Sequence, residues 1–183
     1  MSPLASLWLG LAACAAPDVG APEALAGSEP EIRYRIELAD PAAPLVRIHV
    51  TCRGDVDGET ELELDGPGGS VARPGTGLAL VGARSGEAEL ETERLEAWRW
   101  RIRHPAGAEV AATFELTPTA SRQSDDHRDH YLPILEPRLL HLIGSHALAL
   151  PAHVDPQAEG AIELSWDGFD AAGWSVLSSH GEG

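Results

Sequence analysis

The densest group of side chains able to do acid–base or metal chemistry is Asp125-Asp126-His127-Arg128-Asp129-His130, with His141, His146 and His153 following. Imidazoles and carboxylates are the ligands that divalent metals prefer. Their spacing singles out no site. The chain has no His-Glu-x-x-His and no closely paired cysteines, and Asp126 would share a face with His130 only on a helix, whereas this stretch reads as a loop. A solvated turn before a strand is the plainer reading, and a metal-binding protein built on His127 and His130 is its alternative. Ser145 and His146 are chain neighbours; on a strand they point to opposite faces, out of reach of each other as nucleophile and base. The Gly-rich stretch from Gly66 to Gly77 lacks the following Lys-Ser/Thr and helix of a phosphate cradle, so it reads as a mobile loop, and no nucleophile elbow or dinucleotide fingerprint occurs. Arg99, Arg101 and Arg103 beside Trp98 and Trp100 have the chemistry to hold a carboxylate or stack on a ligand. They read first as the outer face of a strand, paired across the sheet with Glu. No catalytic residue, metal site or cofactor is assigned.

The elements that would position these groups are strands. Ile32, Tyr34, Ile36 and Leu38 alternate with Arg33, Arg35 and Glu37 before a Pro-bearing corner at 40–44. Val46, Ile48, Val50 and Cys52 then alternate with Arg47, His49, Thr51 and Arg53, which turns Cys52 inward and His49 outward. Thr60, Leu62 and Leu64 alternate with acidic residues, Leu78 to Val81 is a short apolar run, and Trp98, Trp100 and Ile102 alternate with the arginines up to a turn at His104-Pro105-Ala106-Gly107. Val110, Ala112, Phe114 and Leu116 follow as the expected hairpin partner of that strand. Helical periodicity is weak throughout, and 19 Gly with 14 Pro punctuate the chain. The predicted fold is all-β, an antiparallel β-sandwich with few or no helices, because each one-sided strand needs a facing sheet to cover its apolar stripe.

Composition bounds the function. There are 13 basic residues, all Arg, against 29 acidic ones, a net charge of −16. Such a surface repels nucleic-acid phosphates and anionic lipid headgroups, so no nucleic-acid partner is expected. Aromatics are only 5% of the chain, so the core should be Leu, Val, Ile and Ala around a few Trp.

At the amino terminus, the apolar Leu4 to Ala13 is far shorter than the ~20 residues of a membrane span but suits the hydrophobic region of an export signal. Leu11-Ala12-Ala13-Cys14 resembles the bacterial lipoprotein box, which would make Cys14 the lipidated mature terminus. Met1-Ser2-Pro3 lacks the usual positive charge. Cleavage at Ala13-Cys14-Ala15 as an ordinary signal peptide, or a merely apolar terminus, are the other readings. Lipidation of Cys14 leaves Cys52 a buried free thiol; a Cys14–Cys52 disulfide is the alternative. The expected organisation is a signal peptide over 1–13, a flexible tether over 14–30 and a sandwich domain over 31–183. The protein is expected to be exported and to face the periplasm or cell surface, touching the membrane only through that anchor.

The stretch Tyr131-Leu132-Pro133-Ile134-Leu135-Glu136-Pro137, then Leu140 to Leu148, Leu150-Pro151, Ile162 to Trp166 and Gly173 to Ser179, resembles the amino-terminal domain of the glycyl aminopeptidase family of zinc metallopeptidases (metallopeptidase family 61). The resemblance implies a β-sandwich that precedes a thermolysin-like catalytic domain and packs beside its substrate cleft, with the zinc ligands and general base downstream. No position here matches one of those residues, and the zinc-peptidase motif is absent. The expected role is therefore a non-catalytic accessory or binding domain, as part of a longer peptidase or as a stand-alone lipoprotein. Its partner would be a downstream zinc peptidase domain or a peptide or protein ligand. A free-standing interaction lipoprotein of the cell envelope is the alternative.

Overall fold

The computed structural model describes residues 31–40, 45–64, 75–117, 132–136, 139–155 and 162–175. Two sheets face each other. The larger has six strands in the order β12-β1-β2-β8-β4-β5, built from β1 (Ile32–Asp40), β2 (Leu45–Arg53), β4 (Leu78–Ser85), β5 (Ala88–Glu89), β8 (Glu109–Leu116) and β12 (Ile162–Asp167). The smaller has four, β11-β3-β7-β6, from β3 (Glu59–Glu63), β6 (Glu91–Glu96), β7 (Arg99–Arg103) and β11 (Leu150–Pro151). β9 (Ile134–Glu136) and β10 (Leu139–His141) form a separate two-stranded ribbon. Helix among the described residues is confined to one turn, α1 (Gly144–Ala147), and a 3-10 turn at Asp170–Ala172. The fold is an all-β sandwich. No described helix is long and apolar enough to cross a membrane.

Alternation builds the core directly. Ile32, Tyr34, Ile36 and Leu38 of β1, Val46 to Cys52 of β2 and Val110 to Leu116 of β8 bury every second side chain, against Leu62, Trp100 and Ile102 of the smaller sheet. The Trp100 indole meets the Phe114 ring edge-on, with centroids 4.9 Å apart and an interplanar angle of 73°, which pins the two sheets face to face. Cys52 lies in this core, free and 4% exposed.

Pairing departs from the expected pattern in two places. The predicted hairpin between the Trp98–Ile102 strand and the Val110–Leu116 strand does not form: β7 pairs with β3 and β6, and β8 pairs with β2 and β4. The turn between them carries the chain across to the other sheet. In a hairpin, the apolar stripes of β7 and β8 would lie side by side on one sheet; on opposite sheets they cover each other, as the Trp100–Phe114 contact shows. Second, β12 runs parallel to β1, with Ile32 beside Ile162 and Ile36 beside Trp166. The other ladders are antiparallel, as expected. A parallel neighbour requires a long return connection, and the chain between β8 and β12 supplies it.

That return closes one side of the sandwich on both sheets. β11 adds to β3, β12 adds to β1, and the buried Tyr34 hydroxyl of β1 donates to the Ala149 carbonyl just before β11 at 3.0 Å. Phe169 is buried between Trp166 and Trp174, with centroids 5.6 and 5.8 Å away. Gly168 makes the tight turn after β12 with φ +81°, where an added Cβ would lie 2.9 Å from the Leu38 carbonyl oxygen.

Candidate functional site

Two connections cross between the sheets side by side at one end of the sandwich, β2 to β3 and β7 to β8. Backbone hydrogen bonds tie them together: Gly54 N–H to Ala108 O at 2.8 Å, Gly107 N–H to Asp55 O at 3.0 Å and His104 N–H to Gly58 O at 2.9 Å. The centre of this knot is His104, 9% exposed beside Thr60, which is 0% exposed. The ring's Nδ1 lies 2.8 Å from Pro105 O, which can only accept, so Nδ1 carries the proton. Nε2, 2.8 Å from Thr60 Oγ1, then accepts the threonine hydroxyl proton, and that oxygen in turn accepts from Asp55 N–H at 3.0 Å. Both ring nitrogens and the Thr60 hydroxyl have partners, so the imidazole latches the two connections together. His104 continues the inward series Trp100, Ile102, so alternation carried the signal; the adjoining Pro-Ala-Gly turn masked it.

The knot walls a cleft of about 700 Å³ that is open to solvent. Gly54, Asp55 and Val56 line one side and Gly107 another, with Arg33, Arg53 and Glu109 from the ends of the strands and His153 to Asp155 from the segment after β11. Both signs of charge are present. Arg33 Nη2 pairs with Glu109 at 2.7 Å, and Val56 adds an exposed apolar surface. Such a cleft offers hydrogen-bond donors, acceptors and a small apolar step. Cys52 backs the cleft but supplies no nucleophile. Burial, and next to it the charge of Glu109, pushes its thiol up to about 12, so it stays protonated at neutral pH.

The arginine row of β7 is a sheet face. Arg101 gives two hydrogen bonds to Glu61, at 2.7 and 3.2 Å, while Arg103 spans Glu59 and Glu91 at 3.1 and 2.7 Å. Hydrogen bonding to those glutamates, reinforced by their charge, raises both guanidinium pKa values above the ordinary range. Arg99 lies 5.4 Å over the Trp98 ring. His49, turned to the outer face of the larger sheet as expected, joins Thr113 at 3.1 Å and Glu37 at 2.7 Å.

Ser145 and His146 sit on the α1 turn and not on a strand, so the expectation that they point apart fails. One helical turn puts Ser145 Oγ 3.4 Å from His146 Nδ1, too long for an activated nucleophile, with His146 buried and Ser145 exposed. His141 and His153 are exposed and lie on separate elements. Cys14 and the Asp125 to His130 cluster lie outside the described residues, as does most of the Gly66 to Gly77 loop. Among the described residues no group of three or more His, Cys, Asp or Glu could hold a metal ion.

No family model and no curated protein matches the sequence. Among solved structures, an aminopeptidase N family protein from Idiomarina loihiensis is similar at 21% identity and TM-score 0.40, over 48% of this chain and 15% of that one. A two-domain M1 zinc metallopeptidase, bound to L-tryptophan in its E323A form, is similar at 14% identity and TM-score 0.32, over 52% of this chain and 21% of that one. The chain thus overlaps no more than about a fifth of either relative.

Proposed function

We propose that this chain is a non-catalytic accessory sandwich of a glycyl-aminopeptidase-like protein, presenting its end cleft to a peptide segment or to a neighbouring peptidase domain. The observation that carries the reading is where the peptidase-like sequence stretches sit. Of the stretches that carry the resemblance, Leu150-Pro151 pairs with β3 as β11 and Ile162 to Trp166 pairs with β1 as β12, so they extend both sheets, and the cleft wall at His153 to Asp155 follows directly on β11. The resemblance-bearing strands therefore lead into the wall of a cleft suited to a peptide. The cleft's Asp and Glu side chains suit a peptide amino group, while Arg53 suits a carbonyl or carboxylate.

Peptidase assays on the chain, and on the same chain extended through the reading frame past Gly183, test this. The expected result is no cleavage of aminoacyl anilides by the chain alone, and cleavage by an extension that encodes His-Glu-x-x-His. Hydrolysis by the chain alone overturns the reading. A stop codon directly after Gly183 replaces it with the free-standing interaction lipoprotein. The export reading is part of the proposal: mature protein beginning at a diacylated Cys14 and held at the membrane by that anchor, facing the periplasm or cell surface. Mass spectrometry of the mature amino terminus separates this from cleavage before Ala16 and from an intact Met1.

A further inference from the structure

The outer face of the six-stranded sheet carries a second depression, about 240 Å³ in volume, which shares Arg33 and Thr51 with the lining of the end cleft. Its floor is short side chains and its rim is arginine. Register places Arg84 of β4 beside Ala111 of β8, then Thr51 of β2, then Arg33 of β1 in a single row across the sheet. The next row runs from Arg35 through His49 to Thr113 and Gly82, where an added Cβ would meet nothing within 4 Å. Small residues flanked by long cations leave a dip between Arg84 on one side and Arg33 with Arg35 on the other. At the usual ~4.8 Å per strand, Arg84 and Arg33 stand about 14 Å apart at the backbone, a gap that two arginine side chains narrow to the width of one small anion.

The charges there run against the rest of the molecule. Three guanidiniums and one carboxylate, Glu163, line the dip, in a chain with 29 acidic residues and 13 basic ones. Donors are also to spare. Arg33 uses Nη2 on Glu109 at 2.7 Å, and Arg35 uses Nη1 on Asp167 at 3.0 Å, with Glu37 3.9 Å from the same nitrogen. The Arg84 side chain is exposed and makes no hydrogen bond or ion pair with any described residue. His49 is not available to a ligand, because its ring is held between Glu37 and Thr113; it fixes the floor instead.

We propose that this depression binds a small oxyanion, a carboxylate or a phosphate or sulfate group, between Arg84 and the Arg33–Arg35 pair. The site stands apart from the peptidase reading, and either can fail without the other. The planar guanidinium fork recognises both kinds of oxyanion through paired N–H···O bonds.

The test is calorimetric or NMR titration of the full chain with sulfate, inorganic phosphate and glutarate, at ionic strength held constant with chloride. One-site saturable binding of at least one probe is expected. Arg84→Gln should weaken it at least about tenfold, the loss of one charge-assisted contact. Arg47→Gln should leave it unchanged, since Arg47 is occupied with Glu115 at 3.0 Å and does not line the dip. Binding of sulfate and phosphate but not glutarate identifies a tetrahedral group, and the reverse a carboxylate; both support the site. Absence of saturable binding by all three probes overturns it, as does equal weakening by Arg84→Gln and Arg47→Gln, which marks plain charge attraction.

Discussion

Replacing Gly54 by Ala is a direct test of the His104 latch. An added Cβ would lie 2.4 Å from His104 Cε1 and 2.7 Å from Nε2, a ring held on both nitrogens and unable to swing aside without losing its partners. Crowding alone costs about 1 to 3 kcal/mol in a packed interior. If the ring yields, the fully buried Thr60 hydroxyl loses its acceptor, at about 1 to 3 kcal/mol for an unsatisfied buried polar group. The expected destabilisation of Gly54→Ala is therefore about 2 to 5 kcal/mol, a fall in Tm of roughly 5 to 15 °C for a chain of this size. Urea unfolding followed by tryptophan fluorescence measures it. A double-mutant cycle isolates the cause: in a His104→Ala background the space is open, and the same Gly54→Ala change should cost less than about 1 kcal/mol. Equal costs in the two backgrounds would refute the latch.

Trp100→Ala should lose about 3 to 5 kcal/mol, because it empties the sheet-to-sheet contact, whereas Arg101→Ala, on the solvent-screened ladder, should lose far less; parallel urea curves compare them. Cys52 should resist a disulfide reagent at pH 8 until urea unfolds the chain. Its folded pKa lies above the ordinary 9.0, at about 12, so the fold holds a proton that the unfolded chain releases. The stability this contributes is complete below pH 9.0 and is lost as pH rises toward about 12, by at most about 1.4 kcal/mol per pH unit. Tyr34, also raised mainly by burial, adds a decline of the same sign, so Cys52→Ala should flatten the alkaline slope without abolishing it. Gly168→Ala should cost at least about 1 kcal/mol by equilibrium unfolding, from its positive φ and the approach to Leu38 O; a neutral result would contradict the turn geometry.

Five strands of the sandwich were legible from alternation, since a strand with one oily face writes its period into the residues: β1, β2, β3, β7 and β8; the start of β4 showed as an apolar run. β6 was not legible. Glu-Thr-Glu-Arg-Leu-Glu is exposed on nearly every residue, so neither face leaves a periodic trace, and its place at the sheet edge comes from pairing with β7 alone. Val81 was counted with the apolar run, yet a register shift between Leu80 and Gly82 turns it out to 52% exposure. The end cleft was illegible because its walls come from residues far apart in the chain, and the latch because a buried histidine reads locally as part of a turn.

The sequence by itself determined the class of the molecule: period-two burial demands paired sheets, and the arginine row of β7 forecasts a ladder with Glu. Only the tertiary structure decided which strands share a sheet. Local pattern says which face of a strand is apolar, but it cannot say what covers that face. That choice belongs to the long-range contacts of Trp100 with Phe114, Gly54 with Ala108 and Tyr34 with Ala149, and through them the structure places the cleft and the arginine-rimmed dip.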